Sequence, residues 1–224
     1  MKLTKAQLLK ATKNKIQKLG YTEFKDTITG ANGLFIKVLD NNFFLSLGLE
    51  ISGYYNSMFT ASFYLSKTTR WSSIWGDIPC ESFERVGTFL TKSERKEFLN
   101  VEFTKEGIID AWWNGFEEKE IENFLKVVEI TENRFLSQND LFSKIENSKE
   151  VYELVEYASS VKALVNKNDI NDFVYKFVPS KTINNIPIEW YKAAEKTIIN
   201  KEGILNENTV KILAADAWRQ NQLF

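Results

Sequence analysis

The sequence predicts an α+β protein: an N-terminal helix, then an antiparallel sheet of four or more strands, then a helical C-terminal half. Three observations support this fold class. A helix-start motif lies at residues 4–7, apolar residues alternate with less apolar ones through residues 33–67, and from residue 117 onward apolar residues recur every three or four positions. Alternation with a period of two is typical of strands, and recurrence near 3.6 is typical of amphipathic helices.

The first helix is predicted at about residues 5–19. Thr4 followed by Gln7 has the form of a capping box, in which each side chain accepts from the other residue's backbone N–H, and Gly20 is a natural stop. Residues 1–19 contain six lysines and no acid. We interpret them as a solvated helix face, with a nucleic-acid-binding face as the alternative. A nucleic-acid footprint normally spreads over more of a chain, so we do not expect a nucleic-acid partner.

Residues 33–67 are predicted to form a three-stranded antiparallel meander. The pair Asp40-Asn41 tolerates positive φ and suits a two-residue hairpin turn. If Ile51 pairs with Ser57, the second and third strands present one apolar face, and the turn brings apolar residues of the first strand to the same side. The predicted opposite pairs are Leu49 with Phe59, Leu47 with Ala61 and Leu45 with Phe63. The first-strand residues predicted on this face are Leu34, Ile36 and Val38.

The other face of the meander is mixed in character. It is too aromatic for water alone and too polar for an ordinary core. We expect either that later helices cover it in part or that it lines a groove. The residues assigned to it are Phe35, Lys37, Phe44, Ser46, Glu50, Thr60, Ser62, Tyr64 and Ser66.

Residues 83–90 are predicted to add a strand, and Thr91 with Glu94 forms a second capping box that predicts a short helix. Helical spacing recurs through the rest of the sequence. Pro179 closes one helix and Pro187 opens the next. The segments with helical spacing are 108–113, 121–128, 151–164, 170–177 and 210–218.

We divide the chain into an α+β sheet domain at residues 1–116 and a helical region at residues 117–224, which packs on the sheet or forms a small bundle. The first part carries 15 basic and 12 acidic side chains, a charge of +3, and the second carries 14 and 18, a charge of −4. A chain of 224 residues is long enough to bury a core as one domain or two.

Composition excludes several classes of function. Histidine is absent, which removes the commonest general base, the commonest zinc ligand and any triad built on imidazole. The ten glycines form neither a dinucleotide-binding fingerprint nor a P-loop, so we expect no cofactor. The single cysteine, Cys80, permits no internal disulfide, and no apolar run approaches the ~18 residues of a membrane helix. These features, without a secretion signal, predict a cytoplasmic protein with no membrane partner.

The candidate binding site surrounds the segment TTRWSSIWGD at residues 68–77. Trp71 and Trp75 fall side by side at either a strand or a helix period. Each indole buries on the order of 200 Å², and its N–H needs a partner. We interpret the pair as a cap on the open end of the sheet's core, on the face that carries Phe63 and Leu65. Contact with a ligand or a partner is the alternative.

Carboxylates are the chemistry that remains for catalysis, in the manner of glycoside hydrolases. Glu50 and Asp77 are the carboxylates nearest to aromatic residues that could stack on a sugar, and Arg70 and Asp77 are placed to pair across the tryptophans. We assign no catalytic residue and no metal ligand. The candidate ligand- or partner-binding residues are Arg70, Trp71, Trp75, Asp77, Glu50 and Tyr64.

The order of several short stretches resembles a known family. These stretches are LGYTEF, SMFTASFYLS, ERVGTFL and DAWW. In layout and in a few aromatic positions, residues 8–140 resemble an uncharacterised family of bacterial domains of unknown function, some of which are associated with toxin and immunity gene neighbourhoods. The resemblance implies an α+β fold and a binding role, and it offers no catalytic residues to carry over.

Three function hypotheses follow, in order of preference. The first is a non-catalytic cytoplasmic module that binds a protein partner, such as an immunity-type protein, and it predicts a contiguous aromatic and acidic surface and no deep polar pocket. The second is a carboxylate-dependent hydrolase with a site near Glu50, Trp71, Trp75 and Asp77, in which two carboxyl groups lie roughly 5–9.5 Å apart and one pKa is raised. Nucleic-acid binding through the N-terminal lysines ranks last.

Overall fold

The computed structural model describes residues 1–25, 30–71, 81–99, 110–170, 173–177, 185–202 and 206–224. The predicted fold class is confirmed, because an N-terminal helix is followed by an antiparallel sheet and then by helices. The described helices are α1 (Lys5–Lys18), α2 (Lys92–Phe98), α3 (Glu118–Leu136), α4 (Leu141–Glu146), α5 (Lys149–Asn166), α6 (Ile188–Glu202) and α7 (Glu207–Leu223). The described strands are β1 (Thr22–Phe24), β2 (Gly33–Val38), β3 (Phe44–Ile51), β4 (Met58–Ser66), β5 (Ser82–Arg85) and β6 (Trp113–Asn114).

The strands form one antiparallel sheet in the order β1-β2-β3-β4-β5, and the short strand β6 also pairs with β4. Strand β2 pairs with β3, and β3 with β4, across short hairpin connections. Both capping boxes are confirmed, with the Thr4 and Thr91 side chains bound to the backbone of Gln7 and Glu94. Gly20 follows α1 with φ of 91°, the left-handed conformation that glycine adopts at helix ends.

The first face of the sheet packs against α1 and α3. As predicted, Leu45, Leu47 and Phe63 are buried on one shared face. The ring of Phe63 stacks on Phe135 of α3 at 5.4 Å between centroids. The apolar faces of two strands and one helix, which follow periods of two and 3.6 residues, therefore pack together in one core.

The predicted register between β3 and β4 is wrong by two residues. Leu49 pairs with Ala61 instead of Phe59, because the hairpin loop is longer than expected. The hydroxyl of Ser52 accepts from the backbone N–H of Tyr55 inside that loop, at 2.9 Å. A shift of two residues keeps every side chain on its predicted face, since side chains alternate with a period of two.

The prediction of which β2 side chains lie on the first face of the sheet is wrong. A 3₁₀ turn at Asp40–Asn42 replaces the two-residue turn, so Val38 pairs with Phe44. Asn42 takes the positive φ, at 58°. Because the pairing of β2 with β3 is shifted by one residue, Phe35 lies in the first core. The alternate side chains of β2, which were predicted on the first face, lie on the second face of the sheet. The residues moved are Leu34, Ile36 and Val38.

The second face of the sheet is covered by α7, so the expectation of cover by later helices is confirmed. Trp218 of α7 meets Phe24 edge-on at 6.0 Å, and Phe224 meets Phe44 at 6.0 Å. Helices α5, α6 and α7 pack on one another around a further core. The division of the chain at residue 116 stays a prediction.

Three other expectations differ from the structure. Strand β5 ends at Arg85, and a 3₁₀ turn at Val86–Phe89 follows it. Trp113 lies in a strand instead of a helix, while residues 108–109 lie outside the described residues. Residues 173–177 are not helical. The residue Pro179 lies outside the described ranges, whereas α6 begins directly after Pro187 as predicted.

Residues 173–177 take their non-helical path because a buried carboxylate binds their backbone. Glu195 of α6 is fully buried and accepts from the backbone N–H groups of Lys176 and Phe177. Backbone N–H groups that donate to a charged side chain cannot donate within a helix. The segment is therefore not helical, although its apolar residues have helical spacing. No helix in the described ranges has the length and apolar character to cross a membrane.

Candidate functional site

Strand β4 leads into a buried strap, residues 68–71, that lies between β3 and α7. The hydroxyl of Ser46 on β3 donates to the carbonyl of Arg70 at 3.3 Å. The hydroxyl of Thr69 lies 3.3 Å from the carbonyl of Asp216 on α7. Thr69 has φ of 61°, which is uncommon for a β-branched residue and persists only where surrounding contacts enforce it. The strap is therefore held by contacts to both β3 and α7.

Helix α7 faces the strap with a charged pair. Asp216 and Arg219 are three residues apart and share a helix face, and they form an ion pair whose side chains are 5% and 2% exposed. The Nε of Arg219 lies 3.4 Å from the hydroxyl oxygen of Thr69. Buried ion pairs persist only where further hydrogen bonds satisfy them. The packing of α7 and the path of the strap consequently depend on each other.

On the sheet side, the hydroxyl of Tyr64 donates to the carboxylate of Glu81, directly before β5. Burial raises the pKa of Glu81 to about 7; the Tyr64 hydroxyl and Arg70 lower it, and Asp216 adds to the rise. Burial, followed by the charge of Glu81, raises the pKa of Tyr64 well above its ordinary value. We call this region the interlayer cluster. Its members are Tyr64, Thr68, Thr69, Arg70, Trp71, Glu81, Asp216, Arg219 and Gln220.

We expect Glu81 to make the free energy of unfolding fall as the pH rises from about 4.5 to about 7. Its folded pKa lies above the ordinary value of 4.5, so in this window the folded protein holds a proton that the unfolded chain has released. The stabilisation is complete below the unfolded pKa and is lost as the pH rises through the folded one, by about 3 kcal/mol.

Denaturant unfolding at several pH values checks this expectation, with wild type and Glu81→Gln compared at each pH. The glutamine carries no titrating proton, so the difference between the two proteins should change across the window. An unchanged difference would show that Glu81 has its ordinary pKa in the folded protein.

Trp71 lies in the second core, across the sheet from the place predicted for it. It packs with Phe83 at 5.8 Å between ring centroids, instead of with Phe63 and Leu65. Its indole covers Gly48 so closely that an added Cβ would lie 2.0 Å from Trp71 Cε2. The indole is 4% exposed. It fills the space between the strap and β3, which only a glycine at position 48 leaves open.

Glu50 belongs to a separate network. It forms an ion pair with Arg85 at 2.9 Å, and Arg85 also reaches Asp110 at 3.4 Å and the hydroxyl of Ser62 at 3.2 Å. Glu50 lies four residues along β3 from Ser46, which is about 13 Å in a strand. Its carboxylate is therefore set apart from the interlayer cluster.

The structure brings together half of the predicted site residues. Tyr64, Arg70 and Trp71 meet in the interlayer cluster, Glu50 does not, and the predicted residues Trp75 and Asp77 lie outside the described ranges. Sequence reasoning missed Glu81, Asp216 and Arg219. The signal for Asp216 was its place in the run AADAW, where a charge interrupts an otherwise apolar helix face.

Three chain segments build an exposed aromatic surface at one end of the sheet. The backbone N–H of Leu3 donates to the carbonyl of Asn56 at 2.6 Å, and that of Gly115 donates to the carbonyl of Ser57 at 2.8 Å. These bonds join the N-terminal segment, the β3–β4 loop and the turn before α3. We call the surface they present the end surface, and it consists of Met1, Tyr54, Tyr55 and Phe116.

Acidic residues continue the end surface along the first turn of α3. Glu117 accepts from the side-chain amide of Asn114 at 2.6 Å, and Glu118 pairs with Lys15 of α1. Burial raises the pKa of Glu120. Negative charge at a helix N-terminus is favoured by the helix dipole. The result is an aromatic patch beside a group of carboxylates.

Within the described ranges, no three Asp, Glu or Cys side chains converge to hold a metal ion. Comparisons with known proteins find no matching family model, no matching curated protein and no matching solved structure.

Proposed function

We propose that the protein is a non-catalytic protein-binding module that docks a partner on the end surface. The observation that carries the proposal is the exposure of its aromatic side chains: Tyr54 is 96% and Phe116 is 39% exposed. A single exposed tyrosine needs no explanation, but aromatic residues gathered from separate segments are typical of interface centres. Such rings offer a large contact area at a low cost in conformational entropy.

The proposed partner presents a basic surface. The acidic residue Glu117 follows Phe116 directly in the chain and borders the aromatic patch, whereas the next residue, Glu118, is paired with Lys15. Complementary charge speeds association and disfavours wrong partners. Arginine side chains of the partner would also stack on the exposed tyrosine rings, which adds cation–π attraction to the ionic contacts.

The proposed role is that of an immunity-type protein, which occupies a basic partner in the cytoplasm and blocks it. The resemblance of residues 8–140 to the family described above supports this role, as does the mixture of aromatic and acidic groups. A chain with one cysteine is suited to a reducing compartment. The proposal includes neither a membrane nor a nucleic-acid partner.

We expect Tyr54→Ala and Phe116→Ala each to weaken binding of the partner. The partner would first be isolated from the native host on tagged wild-type protein and then purified, so that its dissociation constant can be measured with each variant. Truncation of an interface anchor costs about 2 kcal/mol, or roughly 30-fold in affinity. Tyr152→Ala is the matched control, since Tyr152 is 65% exposed on α5.

The binding should also weaken as salt is raised, because the proposed contacts include charge pairs. A partner that binds Tyr54→Ala and Phe116→Ala as tightly as wild type would reject the end surface as the docking site. An acidic partner whose binding is insensitive to salt would reject the proposed charge complementarity.

The hydrolase alternative is supported less well. Glu50 is held by Arg85 at 2.9 Å, so its carboxylate is neutralised by an ion pair. Glu81 has the raised pKa that a general acid needs. Its neighbour Asp216 is held by Arg219 in the buried pair, which neutralises the second carboxylate that a hydrolase of this kind needs.

A further inference from the structure

Several buried polar atoms of the interlayer cluster have no hydrogen-bond partner among the described residues. They are Thr68 Oγ1, Trp71 Nε1, Glu81 Oε1 and Gln220 Nε2. The strap supplies the first two, the residue before β5 the third, and α7 the fourth. Buried polar groups are nearly always hydrogen-bonded, and one left unsatisfied costs about 1–3 kcal/mol. Four such atoms on segments that contact one another call for hydrogen-bond partners that the described residues do not supply.

These four atoms come from segments that the structure holds together. Thr69, next to Thr68, bonds to Asp216 and Arg219 of α7, and Gln220 follows in the same helical turn. Trp71 packs on Phe83, whose ring also packs against Tyr64 at 6.3 Å. Tyr64 in turn bonds to Glu81.

The chemistry of the unpartnered atoms selects the kind of molecule. An indole N–H and an amide NH₂ can only donate, and a hydroxyl can donate as well. Trp71, Gln220 and Thr68 therefore call for a ligand rich in acceptors. The guanidinium of Arg70 lies in the same cluster, where its positive charge lowers the pKa of Glu81.

We propose that the interlayer cluster is a binding site for a small oxyanion, a carboxylate or a phosphate group, which accepts hydrogen bonds from Thr68, Trp71 and Gln220. Thr68 and Trp71 are almost fully buried, so the bonded end of the ligand is shielded from water. Glu81 and Gln220 are only partly buried.

Glu81 makes this binding depend on pH. The groups that face it are Tyr64 from β4, Arg70 from the strap, and the pair Asp216 and Arg219 from α7. Burial raises the pKa of Glu81 to about 7. Below that pH its protonated carboxyl donates to the oxyanion, and above it the ionised carboxylate repels the oxyanion. Affinity for the anion therefore falls as the pH rises.

Isothermal titration tests the site with sodium phosphate in one arm and sodium acetate in the other, at constant ionic strength and about pH 6, where Glu81 holds its proton. We expect saturable binding of at least one of the two anions to a single site. The arm with the higher affinity identifies the oxyanion class. Gln220→Met, which keeps the length of the side chain, should weaken binding about tenfold or more. Gln222→Met is the matched control, because Gln222 is exposed on the same helix.

Thr68→Val provides a second variant of nearly the same shape, and unfolding curves without anion establish that each variant is folded. If neither anion binds at up to about 10 mM, the proposal is overturned. Wild-type affinity in both Gln220→Met and Thr68→Val overturns it as well. Repetition at about pH 8 should weaken binding in wild type but not in Glu81→Gln, and equal affinities at the two pH values would contradict the role of Glu81.

Discussion

Asp216→Asn is expected to lower the free energy of unfolding by about 3–5 kcal/mol, because it leaves the guanidinium of Arg219 buried without its charged partner. The side chains of the pair are 5% and 2% exposed, so water cannot replace the lost carboxylate. The effect should appear in denaturant unfolding as a lower midpoint with an unchanged slope.

Helix α7 contains its own control for this experiment. Glu207 forms an ion pair with Lys211 at 2.5 Å, and the two side chains are 53% and 29% exposed. Exposed pairs of this kind contribute about 0–1 kcal/mol, so Glu207→Gln should change the free energy of unfolding very little. A loss for Asp216→Asn no larger than that for Glu207→Gln would show that the buried pair does not hold α7. Replacing both partners, in Asp216→Leu with Arg219→Met, should cost less than Asp216→Asn alone.

Gly48→Ala is expected to lower the free energy of unfolding by about 3 kcal/mol, the upper end of what overpacking usually costs. The new Cβ would lie 2.0 Å from Cε2 of the Trp71 indole, and the buried strap leaves the ring little room to retreat. Gly53→Ala is the matched control, since nothing lies within 4 Å of a Cβ at that position. It should change stability by less than about 0.5 kcal/mol.

A double-mutant cycle separates this clash from other effects of Gly48→Ala. Trp71→Phe removes the part of the indole that covers Gly48 and should by itself be destabilising. In that background Gly48→Ala should cost at least about 1 kcal/mol less than in wild type. Equal costs in the two backgrounds would mean that alanine harms the strand for a reason unrelated to Trp71.

Features set by local sequence could be predicted well. The capping boxes at Thr4 and Thr91 depend on residues three positions apart, and both form as expected. The alternation of Leu45, Leu47 and Phe63 fixes which side of each strand is apolar, whatever the pairing partner. Turn geometry could not be predicted in the same way. The 3₁₀ turn at Asp40–Asn42 adds one residue to the connection, so each β2 side chain lies on the face opposite to the predicted one.

The candidate site was harder to predict because its parts are distant in the chain. The strap drew attention through its tryptophan, but Thr69 meets Asp216 across 147 positions. No local pattern joins Glu81 to Tyr64 or either of them to α7. The end surface has the same character, since the segments that carry Tyr54 and Phe116 are joined by the backbone hydrogen bonds of Leu3 and Gly115.

The cover that α7 gives to the sheet has a consequence for biosynthesis. A ribosome adds about 5–20 residues per second, so the 147 positions between Thr69 and Asp216 correspond to about 7–30 s of translation. Throughout that interval the emerging meander exposes Phe44 and Ile36 to the cell's other nascent chains. Chaperones that bind exposed apolar segments are therefore expected to bind this incomplete chain.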